Sequence, residues 1–278
     1  MRFTKMQGLG NDYLYVNLFE ERVEDPSALA ARLSDRHFGV GADGLVLIAP
    51  SDVADFRMEM YNADGSRGAM CGNASRCVAK YVYERGLTDK TDLLLETDSG
   101  VRALRLSVSG DRVTQVRVDM GAPAFDCESV PCLLAEGEAI REPVEALGRV
   151  FEVTALSMGN PHAVIFLHEP VGGLDLRAYG SAIETHRAFP DRVNVEFVNC
   201  LSRGRLRMRV WERGSGVTLA CGTGACAAFA AAHRLGLVDD RAELVLDGGT
   251  LVIERDAQTG HLLMSGPAEF VFDGEVLV

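Results

Sequence analysis

The apolar positions of this chain form short runs of strand length that are separated by Gly, Asp and Asn. The runs are rich in Val, Leu and Ile, which favours strands over helices. Predicted strands cover 91–96, 101–108, 113–120, 163–167, 193–198, 205–211, 242–246 and 251–254. The segments 98–100 and 247–249 combine Asp with Gly, which predicts hairpin turns. The pattern therefore indicates a chain that is mainly β-structure.

Helical segments interrupt this pattern at four places. One begins at Asp25-Pro26, with Asp as the cap and Pro in the first position, and another covers about 175–186. The other two, at about 72–85 and 222–235, each follow a cysteine and end at a glycine. The last carries Ala, Cys and Phe around nearly its whole circumference from Ala225 to Ala232, which predicts burial on every side. Short strands around such a helix indicate a sheet curled around a central helix.

Two parts of the chain repeat each other at a constant offset. Cys71-Gly72-Asn73 and Cys221-Gly222-Thr223 lie 150 positions apart. The flanks keep this offset, since Arg57-Met58 matches Arg207-Met208 and Gly86-Leu87 matches Gly236-Leu237. The repeat indicates a duplicated unit, so we predict an α+β fold of two similar domains. We also predict that the two halves bring their cysteines to one central place.

The domain boundaries follow from the extent of the repeat. The predicted halves are residues 1–120, completed by a C-terminal strand at 266–278, and residues 121–265. The segment from Gly121 to Arg149 does not fit the repeat and contains Pro123, Pro131 and Pro143, so it is predicted to be a linker.

Composition excludes several classes of function. At 278 residues, with 47% apolar and 24% charged residues, the chain has the composition of an ordinary soluble globular protein of one or two domains. The formal charge of −12 argues against binding to nucleic acid or to an anionic membrane. No secretory or membrane-spanning segment is visible, so a cytoplasmic location is expected. Seven cysteines, an odd number, argue against a disulfide framework.

The repeated cysteines are the strongest candidates for chemistry. A cysteine acts as a base or nucleophile as its thiolate, and a helix N-terminus lowers its pKa. Gly72 and Gly222 leave room for a ligand beside the helix amides, which can hold a carboxylate. A buried cysteine is also a common core residue, but two at equivalent positions favour a chemical role. Cys77 and Cys226 lie inside the helices and are interpreted as core.

A second pair of segments lies just before the cysteines, at the ends of strands. These are Asn62-Ala63-Asp64-Gly65 and Glu212-Arg213-Gly214-Ser215. Adjacent Glu and Arg can bind an ammonium group and a carboxylate, with Arg bidentate on the carboxylate. A solvated turn with ordinary charges explains the same residues equally well.

Two Gly-Asn steps also recur about one repeat apart, at Asn11 and Asn160. An asparagine offers both a donor and an acceptor and suits the head group of an amino acid, although Gly-Asn is also a common turn. His162 could tune a nearby thiol or serve as an ordinary structural histidine.

Two apparent motifs are rejected. The segment Gly39–Gly44 fits the dinucleotide-binding fingerprint as a string, but it precedes a strand rather than a helix. No two cysteines form a CxxC pair, which argues against a structural zinc site or a thioredoxin-type redox site.

With these residues in view, the chain resembles the diaminopimelate epimerase family over nearly its whole length. The motifs that carry the resemblance are 5–12 (KMQGLGND), 41–44 (GADG), 61–66 (YNADGS), 71–77 (CGNASRC), 158–162 (MGNPH), 192–195 (RVNV), 212–214 (ERG) and 220–226 (ACGTGAC). Several independent motifs in the same order make the resemblance specific.

The resemblance implies an enzyme that needs no cofactor or metal and interconverts LL- and meso-2,6-diaminopimelate. It implies a two-base thiol/thiolate mechanism that serves lysine and cell-wall precursor biosynthesis. Cys71 and Cys221 would be the acid–base pair, and His162 and Glu212 would tune the thiol pKa values. The implied substrate-binding set is Asn11, Asn62, Gly72, Asn73, Asn160, Asn194, Glu212, Arg213, Gly222 and Thr223. The implied fold is two mirrored domains, each a β-barrel-like sheet around a central helix, in a cytoplasmic homodimer.

Three alternative functions fit parts of the same sequence. A proline-racemase-type enzyme would use the same two thiols, but Asn73 and Glu212-Arg213 speak against it. A thiol-based metal or redox module predicts bound zinc or a reversible disulfide. A non-catalytic binder with this fold would lack one or both cysteines, whereas this chain has both.

Overall fold

The structure is a computed structural model that describes residues 1–277. The chain folds as two compact units. The first contains Met1–Asp119 and the segment that starts at Ser265, and the second contains Met120–Met264. The final residue of the predicted C-terminal strand, Val278, lies outside the described residues.

The secondary structure alternates short strands with a few helices. The helices are α1 (Pro26–Ser34), α2 (Gly72–Glu84), α3 (Leu176–Glu184) and α4 (Gly222–Arg234). The strands are β1 (Arg2–Gly8), β2 (Asn11–Asn17), β3 (Gly44–Ala49), β4 (Phe56–Asn62), β5 (Arg67–Gly68), β6 (Asp92–Thr97), β7 (Gly100–Ser109), β8 (Arg112–Asp119), β9 (Glu142–Ala146), β10 (Arg149–Ser157), β11 (Pro161–Phe166), β12 (Asn194–Ser202), β13 (Arg205–Glu212), β14 (Gly216–Thr218), β15 (Arg241–Leu246), β16 (Gly249–Arg255), β17 (Leu262–Gly266) and β18 (Glu269–Glu275).

The two units repeat one order of strand pairing. In the first unit β2 pairs in parallel with β3, β3 antiparallel with β4, and β4 in parallel with β6. In the second unit β11, β12, β13 and β15 follow the same parallel, antiparallel, parallel order. Each cysteine helix connects the third and fourth strands of its set. This agreement confirms the predicted α+β fold of two pseudo-symmetric halves.

One helix is enclosed by the sheet in each unit. In α4 every residue from Ala225 to Ala232 is buried, as its apolar circumference predicts. The helix α2 is equally enclosed from Gly72 to Val82, although it carries Arg76 and Lys80. Hydrogen bonds inside the unit satisfy these charged ends. Arg76 Nε donates to the Pro267 carbonyl at 3.0 Å, and Lys80 Nζ donates to the Val113 carbonyl at 2.7 Å.

Local sequence signals set the ends of the helices. Asp25 caps α1 by accepting from the Ala28 amide at 3.0 Å, with Pro26 in the first helical position. Gly86 and Gly236, which follow α2 and α4, have φ values of 72° and 70°. Only glycine adopts this left-handed conformation at little cost, so both predicted C-terminal stops are confirmed.

The prediction of a linker from Gly121 to Arg149 is wrong. This segment contains β9 and contributes side chains to the hydrophobic core of the second unit, namely Cys127, Val130, Cys132, Ala139, Val144 and Ala146. The three prolines favour a loop, but they do not prevent the apolar positions from being buried. Burial of the apolar side chains stabilises the segment as part of the unit.

Strand β3 begins at a glycine because its neighbour leaves no room for a side chain. A Cβ at Gly44 would lie 2.1 Å from the Tyr61 carbonyl oxygen and 2.8 Å from Tyr13 Cε1. The carbonyl belongs to the adjacent strand β4, so it cannot move away without disturbing the ladder.

We therefore expect Gly44→Ala to lower the free energy of unfolding by about 1–3 kcal/mol, as overpacking does. Urea unfolding followed by circular dichroism measures this change. Gly204→Ala is the matched control, because a Cβ at Gly204 meets nothing within 4 Å. Equal stability of the two variants would show that the contact at Gly44 carries no cost.

Candidate functional site

Cys71 occupies the residue before α2, where the chain leaves an extended conformation. Its φ and ψ are −138° and 119°, and its carbonyl accepts from the Ser75 amide at 2.9 Å to open the helix. The thiol is half-buried. Because the first amides of a helix have no partner inside the helix, Cys71 lies beside a group of backbone donors.

Two of the predicted substrate-binding residues contact each other and Cys71. The Cys71 thiol donates to Asn11 Oδ1 at 3.4 Å, and Asn73 Nδ2 donates to the same oxygen at 3.3 Å. Asn11 begins β2, and Asn73 lies in the first turn of α2. The structure therefore brings Asn11 to Cys71 and Asn73, which lie 60 and 62 positions further along the chain.

Asn62 is held differently. It ends β4, as the sequence predicts, and its Nδ2 donates to Ser66 Oγ at 3.0 Å within the turn that follows. Its predicted role as a substrate ligand stays a prediction.

Cys221 occupies the equivalent residue before α4, with φ and ψ of −122° and 117°. The Gly224 amide donates to Cys221 Sγ at 3.3 Å, and Thr223 Oγ1 lies 3.4 Å from the same sulfur. A Cβ at Gly224 would lie 3.3 Å from this sulfur and 2.7 Å from Glu196 Oε1. Glycine is therefore required at 224 by the close approach of the thiol and a carboxyl group.

At Cys221 the helix N-terminus lowers the thiol pKa, as expected, but other effects outweigh it. Burial raises the pKa of Cys221 well above its ordinary value, and the carboxylates of Glu212 and Glu196 raise it further. The hydrogen bonds from Thr223 and the Gly224 amide act in the opposite direction but are smaller effects. Cys221 is therefore a thiol at neutral pH in this structure.

Glu212 ends β13 and lies close to this thiol. Thr218 Oγ1 donates to Glu212 Oε1, and the carboxyl group also hydrogen-bonds Cys221. Burial raises the pKa of Glu212, because desolvation disfavours its charged form. The predicted proximity of Glu212 to a repeated cysteine is thus present in the second unit.

His162 reaches the thiol through other side chains. Its Nδ1 lies 2.7 Å from Glu196 Oε1, and its Nε2 lies 2.9 Å from Asn160 Oδ1. Asn160 Nδ2 in turn donates to Thr223 Oγ1 at 3.4 Å. The side chains form a continuous chain from Glu196 to Cys221. His162 is thus linked to the thiol through Asn160 and Thr223.

Glu196 was missed by the sequence interpretation. It is fully buried on β12, and burial raises its pKa while His162 opposes that effect. Its signal in the sequence is an acidic residue inside the apolar run from Val193 to Val198. A carboxyl group in a strand that is buried on both faces needs a polar partner, which here is His162.

Asn194 and Arg213 shape the turn after β13. Asn194 Oδ1 accepts from the Arg213 amide at 2.9 Å, and Asn194 Nδ2 donates to the Pro161 carbonyl at 2.8 Å. The Arg213 guanidinium donates to the Asp191 carbonyl at 3.1 Å. Gly72 and Gly222 are the first residues of their helices and are buried.

Two features are absent from residues 1–277. Across these residues, no cluster of three or more His, Cys, Asp or Glu side chains is arranged to hold a metal ion. In the described chain, none of the helices has the length and hydropathy that crossing a membrane requires.

The arrangement suits proton transfer. Each unit offers a thiol beside backbone donors, and amide, hydroxyl or carboxyl groups surround each sulfur. Such groups can bind the head group of an amino acid while a thiol exchanges a proton with it.

Known proteins share both the sequence and the fold. The family model described as diaminopimelate epimerase matches residues 3–125 and 154–271. Proteins named "Diaminopimelate epimerase" from Agathobacter rectalis and Acetivibrio thermocellus are each 52% identical to the chain. The alignments cover 99% of both chains in the first case, and 99% of this chain and 98% of the relative in the second.

A solved structure supports the fold alone. The structure titled as a probable proline racemase from Agrobacterium radiobacter K84 superposes with a TM-score of 0.73 at 16% identity. The superposition covers 100% of this chain and 93% of that chain. On the full-length sequence matches, the chain is an isomerase that belongs to the diaminopimelate epimerase family.

Proposed function

We propose that the chain interconverts LL- and meso-2,6-diaminopimelate by inversion at one α-carbon. The observation that carries this proposal is the equivalent placement of Cys71 and Cys221, each at the start of an enclosed helix. Relatives that share half of the residues carry the name of this activity. The product would serve lysine and cell-wall precursor biosynthesis.

Two thiols provide a chemical route to inversion. One cysteine, as thiolate, removes the α-proton from one face of the carbon, and the other, as thiol, delivers a proton to the opposite face. The roles exchange for the reverse reaction. The working enzyme thus carries one proton on the pair, which titrates as a coupled system. This route requires the two units to present their cysteines to one substrate carbon.

The α-proton is a weak acid, and the helix amides can stabilise the negative charge that develops when it is removed. Negative charge develops next to the α-carboxylate as the proton leaves. Backbone N–H groups at the starts of α2 and α4 can hold that carboxylate, with Gly72 and Gly222 allowing close approach. Asn11, Asn62, Asn73, Asn160, Asn194, Glu212, Arg213 and Thr223 would bind the remaining polar groups of the substrate.

Substrate binding also supplies a way to form the thiolate. Next to its thiol, Cys221 has the Glu212 carboxylate, which raises the thiol pKa. A substrate ammonium group bound to Glu212 would offset this repulsion and lower the pKa of Cys221. The base would then form only when substrate is present.

We expect Cys71→Ser and Cys221→Ser each to fold normally and to lose epimerisation by about 10²–10⁴-fold, the usual contribution of general acid–base catalysis. A hydroxyl is a much weaker acid than a thiol and cannot take either role. Coupled assay of meso-diaminopimelate formation measures the rate. Cys200→Ser is the control, because Cys200 is exposed on β12. Wild-type turnover by either serine variant would refute the assignment.

Incubation with LL-diaminopimelate in deuterated water tests the reaction itself. We expect one α-deuteron in the inverted product without any added cofactor, because the donor thiol exchanges with solvent. Mass spectrometry and chiral chromatography read out label and configuration. Inversion without label, or exchange without inversion, would contradict the two-base route.

The raised pKa of Cys221 predicts its pH dependence. Alkylation of Cys221 by iodoacetamide should be slow at neutral pH and should still be rising above the ordinary thiol range, since thiolate reacts. Glu212→Gln removes a negative charge, so the pKa should fall and alkylation at neutral pH should increase by up to about tenfold per pKa unit. Glu152→Gln, an exposed change on β10, is the control. No increase in Glu212→Gln would show that Glu212 does not raise the pKa of Cys221.

A further inference from the structure

A chain of hydrogen bonds with one direction runs past Cys71 in the first unit. Arg76 Nη2 donates to Asn73 Oδ1 at 2.8 Å, and Asn73 Nδ2 donates to Asn11 Oδ1 at 3.3 Å. Asn11 Nδ2 then donates to Asp43 Oδ2 at 2.8 Å. Two side-chain amides therefore lie between a guanidinium at one end and a carboxylate at the other.

The two ends determine how each amide is turned. A guanidinium can only donate, so Asn73 must present its oxygen to Arg76 and its NH2 group to Asn11. A carboxylate can only accept, so Asn11 must present its NH2 group to Asp43 and its oxygen to Asn73. Turning either amide would place two donors or two acceptors against each other. The orientation thus follows from the chemistry of the ends.

Both ends are themselves fixed. Arg76 is fully buried in α2 and also donates to the Pro267 carbonyl. Asp43 Oδ2 accepts from the Asp12 amide at 3.1 Å, and Asp43 Oδ1 accepts from Arg36 Nη2 at 3.0 Å. The carboxyl of Asp43 therefore stays in place while it accepts from Asn11.

The orientation of the Asn11 amide affects Cys71, because the Cys71 thiol donates to the oxygen of Asn11. That oxygen stabilises the S–H form and would repel a thiolate. If the Asn11 amide were turned, its NH2 group would face the sulfur and stabilise the thiolate instead.

We propose that Asp43 and Arg76 are positioning residues that hold the Asn11 carbonyl oxygen toward Cys71 and so stabilise the thiol form of Cys71. The significance of this alignment for epimerisation rests on the proposed function. The alignment itself, and its effect on the reactivity of Cys71, do not.

Other titratable groups near Cys71 do not change the argument. Tyr15 on β2 and Cys77 on α2 are buried, and burial raises the pKa of Tyr15 well above its ordinary value and that of Cys77 to about 11. Both are neutral in the pH range of the test. Charged groups in the same unit include Arg76 itself and the cluster beyond Asp43, in which Lys5 and Arg36 pair with Asp12.

The test is alkylation of Cys71 in Asp43→Asn over a range of pH, resolved by peptide mass spectrometry, with Cys200 as the reference thiol in each digest. Asparagine can present either an oxygen or an NH2 group, so the orientation of Asn11 is then held by Asn73 alone. We expect the pKa of Cys71 to fall and its alkylation at neutral pH to rise by up to about tenfold.

Asp12→Asn is the matched control. It removes the same charge from the same cluster and leaves the contact between Asp43 and Asn11 in place. An unchanged Cys71 rate in Asp43→Asn, or an equal rise in Asp12→Asn, would overturn the proposal.

A second variant keeps the test decisive if Asp43→Asn does not fold. Asn11→Ala removes the oxygen that accepts from Cys71, so Cys71 alkylation should again increase, and an unchanged rate would overturn the proposal. Epimerase turnover is measured on the same samples. If the variants show the expected alkylation changes but the wild-type protein shows no epimerisation, the proposed function is rejected and the proposed role of Asp43 and Arg76 is retained. If the wild-type protein epimerises the substrate but Cys71 alkylation is unchanged in the variants, the proposed role of Asp43 and Arg76 is rejected and the proposed function is retained.

Discussion

The placement of a helix start inside an enclosing sheet is the constraint on which the rest of this structure depends. Both α2 and α4 are buried for most of their length, so the backbone donors of their first turns cannot all rely on bulk water. Each helix has a cysteine immediately before it and small residues in its first turn. The same enclosure that stabilises the helix brings a thiol and the first backbone amides of the helix into one low-dielectric environment. A reactive site is a direct consequence of that geometry.

Enclosure also determines the state of Cys221. Its desolvation penalises the thiolate more than the helix end stabilises it, and nearby carboxylates add to the penalty. An enzyme that needs a thiolate must then form it when the substrate brings compensating charge. Such a site would remain unreactive towards other electrophiles until it is occupied, which is an advantage for a cysteine in a metabolic enzyme.

The two halves share a backbone but differ around their cysteines. In the first, a guanidinium and a carboxylate orient two amides so that a carbonyl oxygen faces Cys71. In the second, a buried Glu196–His162 pair leads through Asn160 to a threonine hydroxyl beside Cys221. Duplication explains the common strand order and the equivalent cysteines. Divergence of a few buried polar residues explains how two equivalent thiols acquire different surroundings.

The sequence alone determined the repeat, eight of the strands, the four helices and the cysteines that precede two of them. These features follow from local rules, such as Asp25 as a cap, glycine after a helix, and runs of Val and Leu. The tertiary structure decided that 121–149 is core, that Arg76 is buried, and that Glu196 and Asp43 face the residues around the thiols. Burial and side-chain partners depend on strands and helices that are far apart in the chain. A local sequence pattern does not show whether a charged residue will contact a partner that compensates for its loss of hydration.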